Sequence, residues 1–196
     1  MRILVVYCHP CAESFTAVIR DVATTALVSN GHELKIIDLY GEEFNPVMSA
    51  DERRLYHEPE ANEVNIASHL ELLRWCEGLI FIYPTWCYGP PAMLKGWLDR
   101  VWVPHATFQM PERGKRIRRL LTNIRLIVAI STLGSPKWWW RFMNEPGRRM
   151  LLRGLGAMVS PRVRTRWLAL HRMDSVAEYE RKAFLDTVSH AMKKVK

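Results

Sequence analysis

The chain has 196 residues, 48% hydrophobic and 24% charged, proportions of a folded globular protein rather than a disordered one. It carries 28 Lys and Arg against 20 Asp and Glu, a formal net charge of +8, yet no nucleic-acid-binding motif accompanies that excess. No run of about 18 apolar residues marks a membrane span, and the length suits one domain over residues 1–196 with its own core.

Residues 2 to 7 open with a short apolar run and no small-residue cleavage site, so they read as a first strand rather than a signal peptide. A helix follows from Ser14, its N-cap, to Ser29. Its apolar stripe is Phe15, Val18, Ile19, Val22, Ala23, Ala26 and Leu27, and Asn30-Gly31 stops it. Leu34 to Leu39 is strand two. Ser49-Ala50-Asp51-Glu52 has capping-box spacing and opens a short helix. A further helix is expected around Asn62 to Trp75.

Leu79 to Tyr83 is continuously apolar, as a strand covered on both faces should be, and Pro84 ends it. Leu94, Trp97, Leu98 and Val101 recur at helical spacing and place a helix over 91–102. Leu126 to Ser131 is strand four. Beyond it the pattern predicts a helix near Arg148 to Leu155 and a strand near Ala157 to Arg164. Ser175-Val176-Ala177-Glu178 is read as a capping box that starts a C-terminal helix, with Val176, Tyr179, Ala183, Thr187, Met192 and Val195 on one face. Alternating strands and helices imply an α/β fold. The expected form is flavodoxin-like: a parallel five-stranded sheet in the order 2-1-3-4-5 with helices on both faces. The first turn, Cys8 to Thr16, has no G-x-G-x-x-G, which argues against a nicotinamide-binding Rossmann domain.

In such sheets ligands bind at the carboxyl ends of the strands. Three strand-end loops, 8–16, 84–89 and 131–135, therefore converge on one edge. Ser14 and Thr16 offer hydroxyls beside the amide end of a helix, which suits a phosphate, and His9 adds a donor. The loop Thr85-Trp86-Cys87-Tyr88-Gly89 combines flat side chains with exposed backbone N–H groups, which suits a planar heteroaromatic ring. The excess positive charge falls in Arg113–Arg119 and between Arg141 and Arg172, and it reads as solvated basic faces.

His9-Pro10 with Ser14-Phe15-Thr16, Asp38-Leu39-Tyr40 with Phe44 to Ser49, and above all Pro84-Thr85-Trp86 through Leu98 carry a resemblance. Together they resemble the NAD(P)H:quinone reductase family of flavodoxin-like flavoproteins, to which bacterial drug-activity modulator and potassium-efflux ancillary reductases belong. The resemblance covers residues 1 to 135 and implies FAD, with FMN as the alternative, and NAD(P)H as hydride donor. It implies ping-pong hydride transfer through flavin N5 to a quinone or similar small-molecule acceptor, in a cytoplasmic homodimer.

It further implies that His9, Ser14, Phe15 and Thr16 hold the flavin's phosphate or diphosphate. Pro84, Thr85, Trp86, Cys87 and Tyr88 would run along the isoalloxazine ring, and Thr132, Leu133 and Gly134 would close its pyrimidine side. The family's tyrosine and histidine proton relay after strand four is missing. Trp139 and Glu145 fall near those positions, so no catalytic side chain is assigned. Cys87 stands where an aromatic is common, and Leu133 replaces a glycine.

Two other readings stay open. Cys8-His9-Pro10-Cys11 is a C-x-x-C, so Cys8 and Cys11 offer a thiol–disulfide oxidoreductase. No second Cys/His pair has metal-ligand spacing, so no metal site is expected. Trp138-Trp139-Trp140 with Lys137 and Arg141 would be a lid over the flavin, a dimer interface, or a patch for a membrane or partner. The last would suit a regulatory flavoprotein subunit of a membrane transporter.

Overall fold

The computed structural model describes residues 1–111 and 117–196. Part of the basic run Arg113–Arg119 thus lies outside the described residues. In chain order the main elements are β1 (Arg2–Tyr7), α1 (Phe15–Ser29), β2 (Glu33–Asp38), α2 (Ala50–Leu55), α3 (Ala67–Trp75), β3 (Gly78–Pro84) and α4 (Ala92–Val101). Then come β4 (Leu126–Thr132), α5 (Lys137–Phe142), α6 (Pro146–Arg149), β5 (Arg164–Leu170) and α7 (Glu178–Lys193). The five strands form one parallel sheet in the order β2-β1-β3-β4-β5, as expected. A two-residue antiparallel ribbon, Phe108–Gln109 with Arg118–Arg119, lies between α4 and β4.

Side-chain alternation along the strands divides the core into two layers. Leu4, Val6, Leu79, Phe81, Ile127 and Ala129 face α3 and α4, where Leu70, Leu73, Leu94 and Trp97 meet them. Ile3, Val5, Ile80, Ile82, Val128 and Ile130 face α1 and α7, against Ile19, Ala23, Leu27, Phe184, Val188 and Met192. Residues 78–84 and 126–132 are buried throughout. β5 is an edge, and its Arg164 and Arg166 are exposed, which discourages further strand pairing.

Several local expectations need correction. The helix expected over 62–75 is split into a 3-10 segment, Ala61–Ile66, and α3. The helix expected over 148–155 is α6 running into a π-helical turn, Met150–Leu155. The last strand is not at 157–164 but at Arg164–Leu170. Alternating arginines disguised it, because an edge strand needs only one apolar face. The C-terminal helix begins at Glu178 after Ala177, whose N–H bonds Glu180 Oε2 at 2.9 Å, whereas Ser175 Oγ turns to Arg172 O. Its buried face is Phe184, Val188, Ala191 and Met192, and Tyr179 is exposed. In α1, Val18 is half exposed while Thr16 and Ala17 are buried.

One contact fixes the loop before α2. A Cβ at Gly96 would lie 2.2 Å from Pro46 O and 2.4 Å from Pro46 Cβ, so α4 approaches this loop only because residue 96 is glycine. One turn later Arg100 reaches the same loop. Its guanidinium bonds Asn45 O and Glu52, with the Nε at 3.0 Å from Glu52 Oε1, and lies over the Phe44 ring. The Arg100 and Glu52 side chains are 10% and 17% exposed.

Ala is normally the better helix former, yet here Gly96→Ala should cost at least about 2 kcal/mol through backbone overlap. Urea denaturation checks this, and a midpoint at or above wild type would refute it. Burial raises the Glu52 carboxyl, but hydrogen bonds from Ser49 and Arg100 outweigh it and hold the group below its ordinary range. A depressed folded-state pKa adds stability at neutral pH that is lost as pH falls through the carboxylate range. Glu52→Gln should therefore lower stability at pH 7 and flatten its decline between about pH 5 and 3, measured by denaturation across that range.

Candidate functional site

The strands end level with one another. Pro84 pairs with Thr132 and Thr132 with Leu170, while Tyr7 pairs with Ile82. The Cys8 N–H still donates to Ile82 O (3.0 Å), Thr85 N–H to Thr132 O (2.8 Å) and Leu133 N–H to Leu170 O (2.8 Å). The ladder thus runs one residue past the strands and sets their loops side by side. Thr85 Oγ1 and Ser131 Oγ lie 2.8 Å apart and pin the β3 and β4 ends together.

These loops enclose an open cleft of about 490 Å3. His9, Ser14, Phe15, Thr16, Pro84, Thr85, Trp86, Cys87, Thr132, Leu133 and Gly134 all line it. Met173 and Asp174, from the loop after β5, also line it. Sequence reasoning missed these two because it ended the last strand six residues early. The Met173 N–H donates to Leu133 O (2.9 Å) and anchors that loop. A Cβ on Gly134 would come within 2.7 Å of Asp174 Oδ2, so a glycine at 134 is what lets this carboxylate into the cleft.

The α1 end of the cleft is a donor set. Ser14 Oγ accepts from the Ala17 N–H (3.1 Å), which leaves its O–H proton free. The Phe15 and Thr16 amides precede the first intrahelical acceptor, as at any helix start. His9 Nδ1 accepts from the Cys11 N–H (3.0 Å), so Nε2 carries the proton of the neutral ring. The His9 ring meets the Trp86 ring edge-on, with centroids 6.3 Å apart. Dipole and donors together favour an anion there.

Beside it the chain makes a two-residue hairpin. Trp86 and Gly89 exchange N–H···O bonds of 3.0 and 2.9 Å, and Cys87 and Tyr88 have φ of 46° and 61°. Two left-handed residues are what a type I′ turn requires, although Asn-Gly is its usual occupant. Trp86 and Cys87 are exposed on the cleft side. Tyr88 is not among the cleft-lining residues. Its hydroxyl accepts from Trp139 Nε1–H (2.7 Å), and its ring stacks on Trp140, which stacks on Trp167 of β5, both with centroids 6.3 Å apart.

Trp139 is therefore bonded to the hairpin rather than placed on the cleft wall. Glu145 pairs with Arg148 and lines a separate small pocket. Neither reaches the cleft as a relay residue would. Cys8 is fully buried, and burial pushes its thiol up to about 12, while Cys11 is exposed. A thiol held protonated in the core does not attack disulfides, so the C-x-x-C reading loses its nucleophile at Cys8.

A family profile described as flavodoxin-like fold matches residues 1–183. The chain belongs to that family. An Escherichia coli protein described as an uncharacterized NAD(P)H oxidoreductase, YcaK, is 35% identical over 107 residues, 52% of each chain. The NAD(P)H dehydrogenase [quinone] 1 of Rattus norvegicus is 28% identical over 155 residues, 68% of this chain and 54% of its own. Family members thus include NAD(P)H:quinone oxidoreductases. The chain spans about half the length of the first curated relatives it matches.

Among solved structures, Smu.1420 of Streptococcus mutans superposes with a TM-score of 0.85 over 100% of both chains at 28% identity. A Bacillus anthracis FMN-dependent NADH-azoreductase solved with FMN has the same fold, with a TM-score of 0.75 over 98% of both chains at 14% identity.

Cys87→Asn should relieve the left-handed strain of the hairpin and raise stability by about 0.5–1 kcal/mol. A thermal melt checks this, and a lowered midpoint would show that Cys87 contributes packing that outweighs the strain.

Proposed function

We propose that the cleft binds a flavin and that the chain is an NAD(P)H-dependent oxidoreductase delivering two electrons to a quinone or similar acceptor. The observation that carries this reading is the chemistry of one continuous cleft. An anion-binding end at Ser14, Phe15, Thr16 and His9 adjoins a flat end built from Pro84, Thr85, Trp86 and Cys87 and faced by Thr132, Leu133 and Gly134. That donor set fits a flavin: phosphate at the helix end, ring along the hairpin, pyrimidine edge toward Gly134 and Asp174. The names of the rat and Escherichia coli relatives support the nicotinamide donor, and the rat name supports the quinone acceptor.

A bound flavin supplies the redox chemistry, taking hydride from NAD(P)H at N5 and passing it on, the two substrates alternating at the ring. The protein's part is positional. The α1 amides and the Ser14 hydroxyl neutralise the phosphate. The Thr85–Ser131 contact holds the two loops that clasp the ring. Asp174 accepts from a ring or sugar donor, and its negative charge disfavours a second phosphate near Gly134. That charge, together with the FMN-bound azoreductase of the same fold, supports FMN over the FAD that the resemblance implies. The four cysteines are free thiols, in keeping with action in the reducing cytoplasm.

The test is the visible spectrum of the purified protein. Flavin absorbance that NAD(P)H bleaches without oxygen and a quinone restores is the expected result, with FMN released on denaturation. A colourless protein that takes up neither FMN nor FAD would overturn the proposal. Ser14→Ala should weaken flavin affinity and also cost about 1 kcal/mol of stability through the lost cap, so titration and denaturation are read together.

A further inference from the structure

The outer face of α5 is unexplained by the core and by the cleft. Trp139 and Trp140 turn inward, to the Tyr88 hydroxyl and the aromatic stack. Trp138 and Phe142 turn outward and are 65% and 74% exposed, with Arg141 between them at i+3 and i+4 spacing. Met143 extends the apolar patch. Lys137 and Arg141 have no carboxylate partner among the described residues. The next helical segment brings Arg148, Arg149 and Arg153, which line a pocket of about 100 Å3 with Thr165 of β5. From Lys137 to Arg172 there are nine Lys or Arg and one acid, Glu145, which is tied to Arg148.

We propose that this face docks on an anionic phospholipid bilayer. Trp138 and Phe142 enter the headgroup boundary, and Lys137, Arg141 and the arginine pocket engage lipid phosphates. Charge complementarity selects the occupant. A twofold contact of this face with a second copy would set each cation against its own like, because the same patch appears on both sides. An anionic surface satisfies the cations, and only one with an apolar layer behind the charge also takes the two exposed aromatics. The helix is too short and polar to go deeper, and among the described residues no helix can cross a membrane. The attachment is therefore peripheral.

Cosedimentation with vesicles of phosphatidylcholine, with and without phosphatidylglycerol, tests this on the purified, cofactor-loaded protein. The expected result is binding to the anionic vesicles alone, release at high salt, and a blue shift of tryptophan fluorescence on binding. The double variant Trp138→Ala/Phe142→Ala and, separately, Arg141→Glu should each weaken attachment by about tenfold or more.

Absence of binding at low salt would overturn the proposal. So would equal binding by the Trp138→Ala/Phe142→Ala protein, which would reduce the effect to diffuse basic charge. A change from dimer to monomer in that variant, seen by light scattering, would assign the face to a second copy instead. Sedimentation reads attachment alone, so a colourless protein that still binds vesicles would sink the flavin reading and leave this one standing.

Discussion

The level ending of the parallel strands is the constraint on which the site depends. β3 and β4 are buried on both faces, so their backbone groups must be paired within the sheet for as long as they stay dry. The pairing continues one residue past Pro84 and Thr132, and the chain then leaves the sheet in four adjacent places at one height. Loops released from a common edge inherit a fixed spacing from the sheet, about 4.8 Å per strand. Their side chains therefore meet without any loop needing to be rigid on its own. The anion-binding start of α1 stands beside the aromatic hairpin for this reason, and no direct hydrogen bond between those two loops is required to hold them together.

A second device stiffens the side of the cleft that the sheet does not reach. Tyr88, Trp140 and Trp167 come from the hairpin, from α5 and from β5, and their rings lie nearly parallel, with interplanar angles of 14° and 8°. Offset stacking of this kind adds to the area buried. The Trp139 hydrogen bond to the Tyr88 hydroxyl closes the loop of contacts. The strained turn at Cys87 and Tyr88 is thus held by neighbours rather than by its own sequence, which explains how it persists without glycine at either central position.

Most of the fold was readable from pattern because the strongest signals coincide with the most buried elements. Leu79 to Tyr83 and Leu126 to Ser131 have no polar interruption, and Ser14 and Ser49 cap where their spacing says they should. The same logic explains the failures. β5 is an edge strand whose outward arginines break the apolar run, and its end was misplaced along with the loop that brings Asp174 into the cleft. α7 was given the wrong face because Ser175 mimicked a cap and drew the helix start forward. The placement of Tyr88 was not legible at all. Its turn places it against a tryptophan 51 residues away, and nothing local in the sequence encodes that distance.

The π-helical turn over Met150–Leu155 has a consequence for the lineage of this chain. Such a turn is an α-helix that has absorbed one extra residue without breaking. The widened turn lets Leu151, Leu152 and Leu155 reach the core while Arg148, Arg149 and Arg153 share one side pocket. Deleting one residue there would restore ordinary helical bonding, yet it would rotate everything downstream by about 100° relative to what precedes it. The arginines would be parted and the leucines turned toward water. A length change that looks like a repair on paper is thus closed to this segment, and its residue count is under tighter control than the identity of most of its side chains.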